Sequence, residues 1–331
     1  MLSEKAIVDE LTNPETYNHD VQEPIRVIET NVSWVFLTGK FAYKMKKTIK
    51  FGDVLDFSTL QKRYNASMQE IELNRRLAPE LYVGLVSFTS DKKIDGEGDV
   101  IEYLVKMKEI QQEKLLINLI QKRPLDKTLI SKIVEIVSEF HKENIYRKEI
   151  KVFENIFEKW DENFRTTQKY ENFPFDNSFA NKVYSFMEKN RAFWDKRQNE
   201  GKIVDGHGDL QLRNIFVDNG KIVIFDCIEF NESLRIQDIL EEISFLAMDL
   251  DYHNKRKEAK YLLEKYLALM HENLSKVKEF VNFYKSYRAY VRSKVYYSMY
   301  LHSLDNYEDE AQNELRNISL KYLKLAMSYK F

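Results

Sequence analysis

The sequence predicts an α+β protein in which a small antiparallel sheet comes first and a larger, mainly helical part follows. Two observations lead to this fold class. Residues 1–108 contain short apolar runs bounded by turn residues, with one helical segment among them. From residue 109 onward, apolar residues recur three and four positions apart, which is the spacing of amphipathic helices. We therefore expect two lobes, residues 1–108 and residues 109–331.

The elements of the first lobe follow from its turn residues. Strands are expected at 25–30, 81–89 and 100–108, and in a hairpin over 32–47 that turns at Gly39-Lys40. The segment STLQKRYNASMQEIELNRRLAP predicts a helix with Ser58 as its N-cap and Pro79 at its end. Together these elements make a small sheet carrying one helix.

The second lobe shows helical spacing in EKLLINLIQKR, in DKTLISKIVEIVSEFHKEN and through most of residues 150–200. The stretch RNIFVDNGKIVIFD interrupts this pattern and predicts a hairpin that turns at Asn219-Gly220. Long amphipathic helices then run to the end of the sequence, beginning with LRIQDILEEISFLAMDL.

Composition restricts the classes of partner. The 331 residues carry a formal net charge of −2, which gives no electrostatic footprint for nucleic acid. The one cysteine, Cys227, excludes an internal disulfide framework. The charged N-terminal stretch lacks an apolar signal core, and no run of 18 apolar residues occurs. We expect a cytoplasmic protein with no membrane partner.

The densest group of polar residues lies between two strand-like runs. It reads H-G-D-L-Q-L-R-N over His207–Asn214 and is followed, after the run KIVIF, by Asp226. Phosphoryl transfer requires a carboxylate beside the acceptor hydroxyl and oxygen ligands for Mg²⁺, which prefers few protein ligands plus phosphates and water. The alternative is a polar hairpin whose Asp and Asn side chains cap turns. Several specified residues at set spacings rarely occur together by chance, so the pattern favours a phosphoryl-transfer site over a polar hairpin.

These residues resemble a known family. HGDLQLRN followed by IFDCIEF is similar to the aminoglycoside phosphotransferase-like branch of the protein-kinase-like superfamily, where H-G-D-x-x-x-x-N replaces the H-R-D-x-x-x-x-N of protein kinases. FAYKMKK, LNRRLAPELY and FNESLRIQDILEEISFLAMDL extend the resemblance, which looks closest to an uncharacterised prokaryotic subfamily of small-molecule kinases. It implies a two-lobed, protein-kinase-like fold. Members of that subfamily can carry a C-terminal P-loop domain, and no G-x-x-x-x-G-K-[ST] motif occurs in this sequence.

The resemblance also implies roles for single residues. Asp209 corresponds to the base that accepts or orients the acceptor hydroxyl. Asn214 and Asp226 correspond to the Mg²⁺ ligands. His207 supports the catalytic loop, and Asp238 corresponds to a structural aspartate that braces this loop through backbone hydrogen bonds.

A lysine on the predicted hairpin resembles the phosphate-binding lysine of the V-A-I-K strand of kinases. Strand alternation places Ala42, Lys44 and Lys46 on one face, so that Ala42 leaves room for adenine while Lys44 reaches the phosphates. The alternative is a solvated basic edge strand. Glu70 and Glu72 lie about 200° apart on the following helix, so only one faces the sheet, and kinase-like spacing favours Glu70 as the partner of Lys44.

Other nucleotide contacts are predicted from loops. No Gly-rich loop precedes the hairpin, and the corresponding stretch IETNVSW offers Thr30, Asn31 and Ser33 as donors to phosphate. The segment VKMKEI is the expected hinge, whose backbone around Met107 would pair with adenine. The alternative is that Met107 belongs to the core.

The acceptor side of the sequence is acidic. Residues 226–251 contain eight Asp and Glu residues and one Arg, which favours a cationic acceptor unless these acids simply form a polar helix face. Glu229 is the best single candidate for an acceptor contact. Arg288 and Arg292 lie one helical turn apart and either bind a substrate phosphate or pair with the acidic segment; we favour the second.

The predicted function is therefore a kinase that moves the γ-phosphate of ATP or GTP, with Mg²⁺, to a hydroxyl of a small molecule. One alternative is a protein kinase that acts in trans. The other is a non-catalytic nucleotide-binding module that works with a separate protein partner.

Overall fold

Alternating apolar residues in the N-terminal part of the chain form a five-stranded antiparallel sheet. Its strands are β1 (Arg26–Glu29), β2 (Ser33–Leu37), β3 (Phe41–Lys46), β6 (Tyr82–Thr89) and β7 (Val100–Lys108). Their order across the sheet is β1-β2-β3-β7-β6, which makes β3 the central strand. Gly39, with a φ of +89°, turns the β2–β3 hairpin as predicted.

The computed structural model describes residues 2–51, 55–122, 124–304 and 309–331. The chain divides into two units, Met1–Lys122 with Arg213–Glu232 and Arg123–Leu212 with Ser233–Phe331. The first unit thus continues past the predicted boundary at residue 108 and also includes a later hairpin. A sequence boundary drawn at a change from strands to helices does not detect a hairpin that returns to an earlier unit.

The first unit contains further elements beside the sheet. They are helices α1 (Glu4–Glu10), α2 (Leu60–Arg75) and α3 (Leu116–Lys122), and strands β4 (Lys50–Phe51), β5 (Leu55–Asp56), β9 (Ile215–Asp218) and β10 (Lys221–Ile224). The β9–β10 hairpin turns at Asn219-Gly220 as predicted, with φ values of +48° and +81° that suit a type I′ turn. The helix α1 was not predicted.

The boundaries of α2 differ from those predicted. Its N-cap is Thr59, whose hydroxyl accepts a hydrogen bond from the Lys62 N–H, rather than Ser58. The Ser58 hydroxyl instead donates to Asp56 at 2.6 Å. The helix buries Glu70, Ile71 and Asn74 on the face that packs on β6 and β7.

The second unit is mainly helical. Its helices are α4 (Lys127–Glu143), α5 (Val152–Gln168), α6 (Asn177–Lys189), α7 (Arg191–Arg197), α8 (Glu232–Arg235), α9 (Ile239–Tyr252), α10 (Arg256–Leu269), α11 (Leu274–Ser303) and α12 (Asp309–Ser328). Two short strands, β8 (Ile203–Asp205) and β11 (Ile236–Asp238), pair with each other. Sequence periodicity predicted one helix through this last strand, and Asp238 starts α9 by capping the Leu240 N–H.

The core of the second unit is aromatic. Trp160 is fully buried, and its ring contacts Phe164, Phe283 and Tyr287 at centroid distances of 5.0, 5.8 and 5.3 Å. The helix α9 is buried from Ile239 to Asp251 and packs against α10 and α11. Within the described residues, no helix is both long enough and apolar enough to cross a membrane.

Trp160→Ala should lower the free energy of unfolding by about 3–5 kcal/mol, because the change leaves a large cavity among rings. Urea titration measures this difference. Leu269→Ala, at an exposed apolar position of α10, is the control and should change stability by less than about 0.5 kcal/mol. Equal losses in both variants would contradict the assignment of this core.

Candidate active site

Two buried lysines on the central strand share one glutamate of α2. The Lys44 Nζ lies 2.8 Å from Glu70 Oε1, and the Lys46 Nζ lies 2.8 Å from Glu70 Oε2. The sheet face predicted for both lysines, and the choice of Glu70 over Glu72, agree with this geometry. The alternative of a solvated edge strand is wrong, because β3 has a strand on each side and the Lys46 side chain is 1% exposed.

Two carboxylates from the segment after β10 complete the group. Asp226 Oδ1 lies 2.7 Å from the Lys44 Nζ, and Glu229 contacts the Lys46 Nζ. We call these five residues, Lys44, Lys46, Glu70, Asp226 and Glu229, the lysine–carboxylate cluster. With every group ionised the cluster has three negative and two positive charges.

Burial and pairing act in opposite directions on these groups. Burial alone lowers the pKa of Lys44, but the carboxylates of Asp226 and Glu70 outweigh it and raise this pKa well above its usual value. Burial raises the pKa of Glu70, yet the two lysines bring it below 4.5. For Glu229 burial prevails and raises the pKa, despite the attraction of Lys46. Of these two glutamates, Glu229 is therefore the one that takes up a proton more readily.

Glu229 was predicted to contact an acceptor, and the structure gives it a different place. The residue is 6% exposed and its carboxylate contacts Lys46 inside the cluster. A buried carboxylate with a cationic partner supports the loop that carries Asp226. The cluster thus accounts for Glu229 without an acceptor.

Asp226 is held in an uncommon conformation at the end of the β9–β10 hairpin. Its φ is +65°, and its N–H donates to the Tyr82 hydroxyl at 3.3 Å. The next N–H, of Cys227, donates to the Asn74 side chain at 2.8 Å. These contacts fix the backbone, while the Asp226 side chain stays 44% exposed.

Asn214 lies at the other strand of the same hairpin. Its carbonyl accepts a hydrogen bond from the Phe225 N–H at 3.0 Å, which continues the β9–β10 ladder by one residue pair. The two predicted Mg²⁺ ligands, Asn214 and Asp226, therefore flank one short ladder. Their donors, an amide and a carboxylate, are oxygens of the kind that Mg²⁺ prefers.

The donor set fits a metal that is bound together with a phosphate ligand. In the described ranges, no group of three or more His, Cys, Asp or Glu residues forms a ready metal site. Mg²⁺ commonly takes one or two protein oxygens and completes its coordination with phosphate oxygens and water. Asn214 and Asp226 suffice for that arrangement.

The other residues predicted to contact nucleotide are largely used within the sheet. Ala42 and Met107 are opposite each other in the β3–β7 register, and both are buried in one apolar cluster. Met107 also pairs with Tyr82 of β6, so it belongs to the core, which was the alternative reading. The pairing of the backbone around Met107 with adenine stays a prediction.

The predicted phosphate loop is a closed turn. The Thr30 hydroxyl donates to the Ser33 carbonyl and accepts from the Ser33 N–H, both at 2.9 Å. Ser33 is fully buried, whereas Asn31 is exposed. The donors predicted at Thr30 and Ser33 are thus committed to the turn or enclosed, because a hydroxyl that closes its own turn cannot also reach a phosphate.

In the second unit, one buried glutamate holds the loop that contains Asp209. Glu242 Oε1 accepts the His207 N–H at 2.9 Å and the Gly208 N–H at 2.7 Å. A Cβ at Gly206 would collide with the Glu242 carboxylate, and Gly208 has a φ of +84°. Both glycines of D-G-H-G-D are therefore required by the approach of this loop to Glu242.

Asp238 does not brace the loop as predicted. Its carboxylate instead pairs with Arg197, at 2.6 Å to Nε and 2.7 Å to Nη2, and caps α9. Glu242, one helical turn later, has the predicted function. The prediction was wrong by one turn because the strand β11 places Asp238 before the start of α9.

Further contacts within the second unit fix the loop. The Asp209 N–H donates to His207 Nδ1 at 3.2 Å, and the Leu212 N–H donates to Asp249 Oδ2 at 2.9 Å. His207 is buried, in agreement with a supporting role. Asp209 is only half-buried, and Gln211 contacts its carboxylate. The loop thus presents one carboxylate from a backbone that is bound on both sides.

Glu242 is ionised over the physiological range. Burial raises its pKa, but His141, 3.2 Å from Oε2, and His207 with its N–H bring the value down to about 2. His141 also contacts the Tyr266 hydroxyl. Sequence reasoning missed Glu242, Asp249 and His141. The signal was α9 itself, since acids in a helix that is apolar on every side must have buried partners.

No protein-family model matches the chain. Uncharacterised proteins of Mycobacterium tuberculosis and Mycobacterium bovis are 29% identical to it over 298 residues, which is 87% of this chain. The same stretch is 58% of their length, so the chain spans less than two thirds of these curated relatives.

Solved structures of small-molecule kinases are similar to this chain. The aminoglycoside 2′-phosphotransferase-IIIa with GDP has a TM-score of 0.58 at 13% identity, with 94% of each chain covered. Amicoumacin kinase in complex with AMP-PNP, Ca²⁺ and Ami has a TM-score of 0.57 at 11% identity, covering 98% of this chain and 94% of that one. A choline/ethanolamine kinase family protein of Mesorhizobium loti has a TM-score of 0.54 at 11% identity, with 99% of each covered.

These likenesses confirm the predicted fold class. The chain has the protein-kinase-like fold that these phosphotransferases share, with a small antiparallel sheet and many helices. At 11–13% identity the likeness concerns the fold, and the assignment of chemistry depends on the residues of this chain.

Lys46→Met should lower the free energy of unfolding by about 3–5 kcal/mol, because it leaves two buried carboxylates without their shared cation. The double variant Lys46→Met/Glu229→Gln should recover part of this loss. Urea titration measures both. The control is Lys62→Met, because Lys62 of α2 forms an exposed ion pair with Asp56 of β5. Its free energy of unfolding should change little. A double variant no more stable than Lys46→Met alone would contradict the direct pairing.

Glu242→Gln should be less stable than the wild type at pH 7, by about 3 kcal/mol for a pKa of about 2 against an ordinary 4.5. Because the folded-state pKa is depressed, this stabilisation is complete above about pH 4.5. It is lost as the pH falls through about 2. The difference between wild type and variant should therefore shrink below about pH 4.5 in unfolding titrations. Glu264→Gln, at an exposed site of α10, should show no such trend.

Proposed function

We propose that this protein is a phosphotransferase that moves the γ-phosphate of ATP or GTP, with Mg²⁺, to a hydroxyl group of a small molecule. The observation that carries the proposal is the pairing of Lys44 with both Glu70 and Asp226, beside Asn214 on the same hairpin. This set supplies a cation for phosphate and oxygen ligands for a divalent metal.

Lys44 is the phosphate-binding group. Glu70 keeps its ammonium extended from β3, and the carboxylates of Asp226 and Glu70 keep it charged despite its burial. Lys44 also pairs with Asp226 at 2.7 Å, so nucleotide phosphates would compete with Asp226 for the same ammonium. Bound Mg²⁺ would neutralise charge on the phosphates, with Asp226 and Asn214 as its protein ligands.

Asp209 orients the acceptor hydroxyl. It is the half-buried carboxylate of a loop whose neighbouring N–H groups are bound by Glu242, His207 and Asp249. A loop fixed in this way contributes to catalysis by positioning, which is the main protein contribution in phosphoryl transfer. The likeness to kinases solved with GDP and with AMP-PNP and Ca²⁺ supports a nucleotide donor and a divalent metal here.

The acceptor is proposed to be a small molecule because the kinases of similar fold act on molecules such as amicoumacin, and choline is named for others. A cytoplasmic location belongs to the same proposal, since the donors are intracellular nucleotides. The curated relatives are longer than this chain. The experiment therefore also tests the alternative of a non-catalytic nucleotide-binding module that works with a separate protein partner.

Asp209→Ala should abolish transfer of labelled γ-phosphate while nucleotide affinity is nearly unchanged, because Asp209 acts on the acceptor. Asp226→Ala should abolish metal-dependent nucleotide binding, because it removes a metal ligand. The measurements are label transfer from ATP or GTP with Mg²⁺ into a cell extract, split into small-molecule and polypeptide fractions, and nucleotide titration. Asp195→Ala, at an exposed site of α7, is the matched control.

Each outcome separates the alternatives. Asp209-dependent label in the small-molecule fraction supports the proposal and identifies the acceptor by mass spectrometry. Label confined to polypeptide would favour a protein kinase acting in trans. Nucleotide binding with no transfer to either fraction would favour the non-catalytic module.

A further inference from the structure

Arg292 is a buried cation without a hydrogen-bonding partner among the residues that the structure describes. It lies on α11 and is 7% exposed, and its Nε has no hydrogen-bond partner. No described carboxylate forms an ion pair with it. One turn earlier on the same helix, Arg288 pairs with Glu241 at 3.0 Å. The favoured prediction that both arginines pair with the acidic segment is therefore wrong for Arg292.

The surroundings of Arg292 are aromatic. Its guanidinium carbon lies 4.9 Å from the ring centre of Tyr296 and 5.9 Å from that of Tyr322. Tyr322 stacks in turn on Tyr252 at 3.8 Å. Ring faces attract the positive charge, but they leave the N–H donors in the guanidinium plane unsatisfied.

This aromatic group adjoins the loop of Asp209. Tyr252 comes less than one turn after Asp249 on α9, and Asp249 accepts the Leu212 N–H at the end of the loop. Burial lowers the pKa of Arg292, but the two tyrosines and then Asp209 and Asp249 raise it above its usual value. Arg292 is thus charged, and it is close enough to Asp209 for their fields to interact.

Several acids of the segment 226–251 are paired inside the protein. Four of them pair with internal cations or a histidine: Asp238 with Arg197, Glu241 with Arg288, Glu242 with His141, and Asp251 with Lys285. The expectation of a cationic acceptor depended on these acids being available. Among the described residues Arg292 forms no ion pair, and the carboxylates of Asp209 and Asp249 interact with its charge electrostatically.

An open groove of about 810 Å³ lies against the tyrosine stack. Tyr252 and Lys321 are among its lining residues, and the Lys321 Nζ lies 4.0 Å from the Tyr252 ring centre. The volume is that of a site for a small metabolite. Lys321 thus stands at the outer side of the same stack, in a groove that Glu310 and Glu314 also line.

We propose that Arg292 binds an oxyanion, a carboxylate or a phosphate, on the acceptor whose hydroxyl Asp209 orients. A guanidinium presents paired N–H donors that match the two oxygens of such a group. A buried donor without an acceptor costs free energy, and a bound oxyanion would remove that cost. The assignment of this anion to the acceptor rests on the proposed function, whereas anion binding at Arg292 does not.

The binding test is thermal unfolding with inorganic phosphate or glycolate, each compared with chloride at equal ionic strength. Phosphate or glycolate should raise the Tm of the wild type and of Lys294→Gln, a control on the same helix. Arg292→Gln should weaken binding of the anion by a factor of about ten or more. The affinity of Arg292→Lys should lie between those of the wild type and Arg292→Gln. Lys44→Met removes phosphate binding at the nucleotide site and should keep the response. The arm that responds distinguishes phosphate from carboxylate.

An equal response in wild type and Arg292→Gln would overturn the inference, as would a response that disappears in Lys44→Met. If Arg292→Gln shows no cooperative unfolding, the Arg292→Lys variant is used instead. A rise in its Tm equal to that of the wild type would then overturn the proposal that the guanidinium binds the anion through paired N–H donors.

Turnover separates this inference from the proposed function. With a set of alcohols that bear a carboxylate, a phosphate, an amine or no charged group, an anionic acceptor should be preferred, and Arg292→Gln should raise its KM about tenfold with a smaller effect on kcat. Transfer only to amine-bearing alcohols, unchanged in Arg292→Gln, would leave the proposed function standing and overturn the oxyanion site. A Tm response that depends on Arg292, with no transfer to any alcohol, would support the oxyanion site and contradict the proposed function.

Discussion

Glu70 lies on the buried face of α2 with both carboxylate oxygens engaged, one by Lys44 and the other by Lys46. This bridge joins the helix to the central strand, and through Asp226 and Glu229 it also joins the segment after β10. Removing Lys46 would leave the Glu229 carboxylate buried without its cation, which costs more than the pair contributes. The cluster therefore fixes the relative positions of three segments that are far apart in sequence.

The second unit uses the same principle with different groups. Glu242 is buried on α9 and receives backbone N–H groups of the Asp209 loop on one side and His141 on the other. In both units a buried carboxylate has enough donors to remain ionised, and the residue proposed to act on substrate keeps an exposed carboxylate. Stability and reactivity are thus assigned to different acids.

Sequence reasoning identified the residues that a local pattern can specify. Alternation on β3 placed Lys44 and Lys46 on one face, and the helical angle between Glu70 and Glu72 chose the glutamate that reaches them. The type I′ hairpin at Asn219-Gly220 followed from its two turn residues. Local patterns could not show which buried side chains form ion pairs with each other. Arg288 and Arg292 share a helix face, and only the packing of α9 and the tyrosines decides which of them has an acid within reach.

The errors have a similar origin. Asp238 and Glu242 are one turn apart, and a three-residue strand before α9 exchanged their roles. Thr30 and Ser33 have the right functional groups for phosphate, but the turn uses the Thr30 hydroxyl and the Ser33 N–H, and the Ser33 side chain is buried. Met107 is spaced correctly for a hinge, yet strands on both sides enclose it.

The contact between Lys44 and Asp226 has a thermodynamic consequence for the order of binding. A metal ion without nucleotide must take the Asp226 carboxylate from an ammonium 2.7 Å away and leaves that ammonium without its counter-ion. Nucleotide phosphates supply a replacement counter-ion for Lys44, so each ligand removes an obstacle to the other. Metal and nucleotide should then bind with positive cooperativity, and by linkage the metal strengthens nucleotide binding by the same factor as the nucleotide strengthens metal binding. The ion pair between Lys44 and Asp226 would thereby select the metal–nucleotide complex over the free metal.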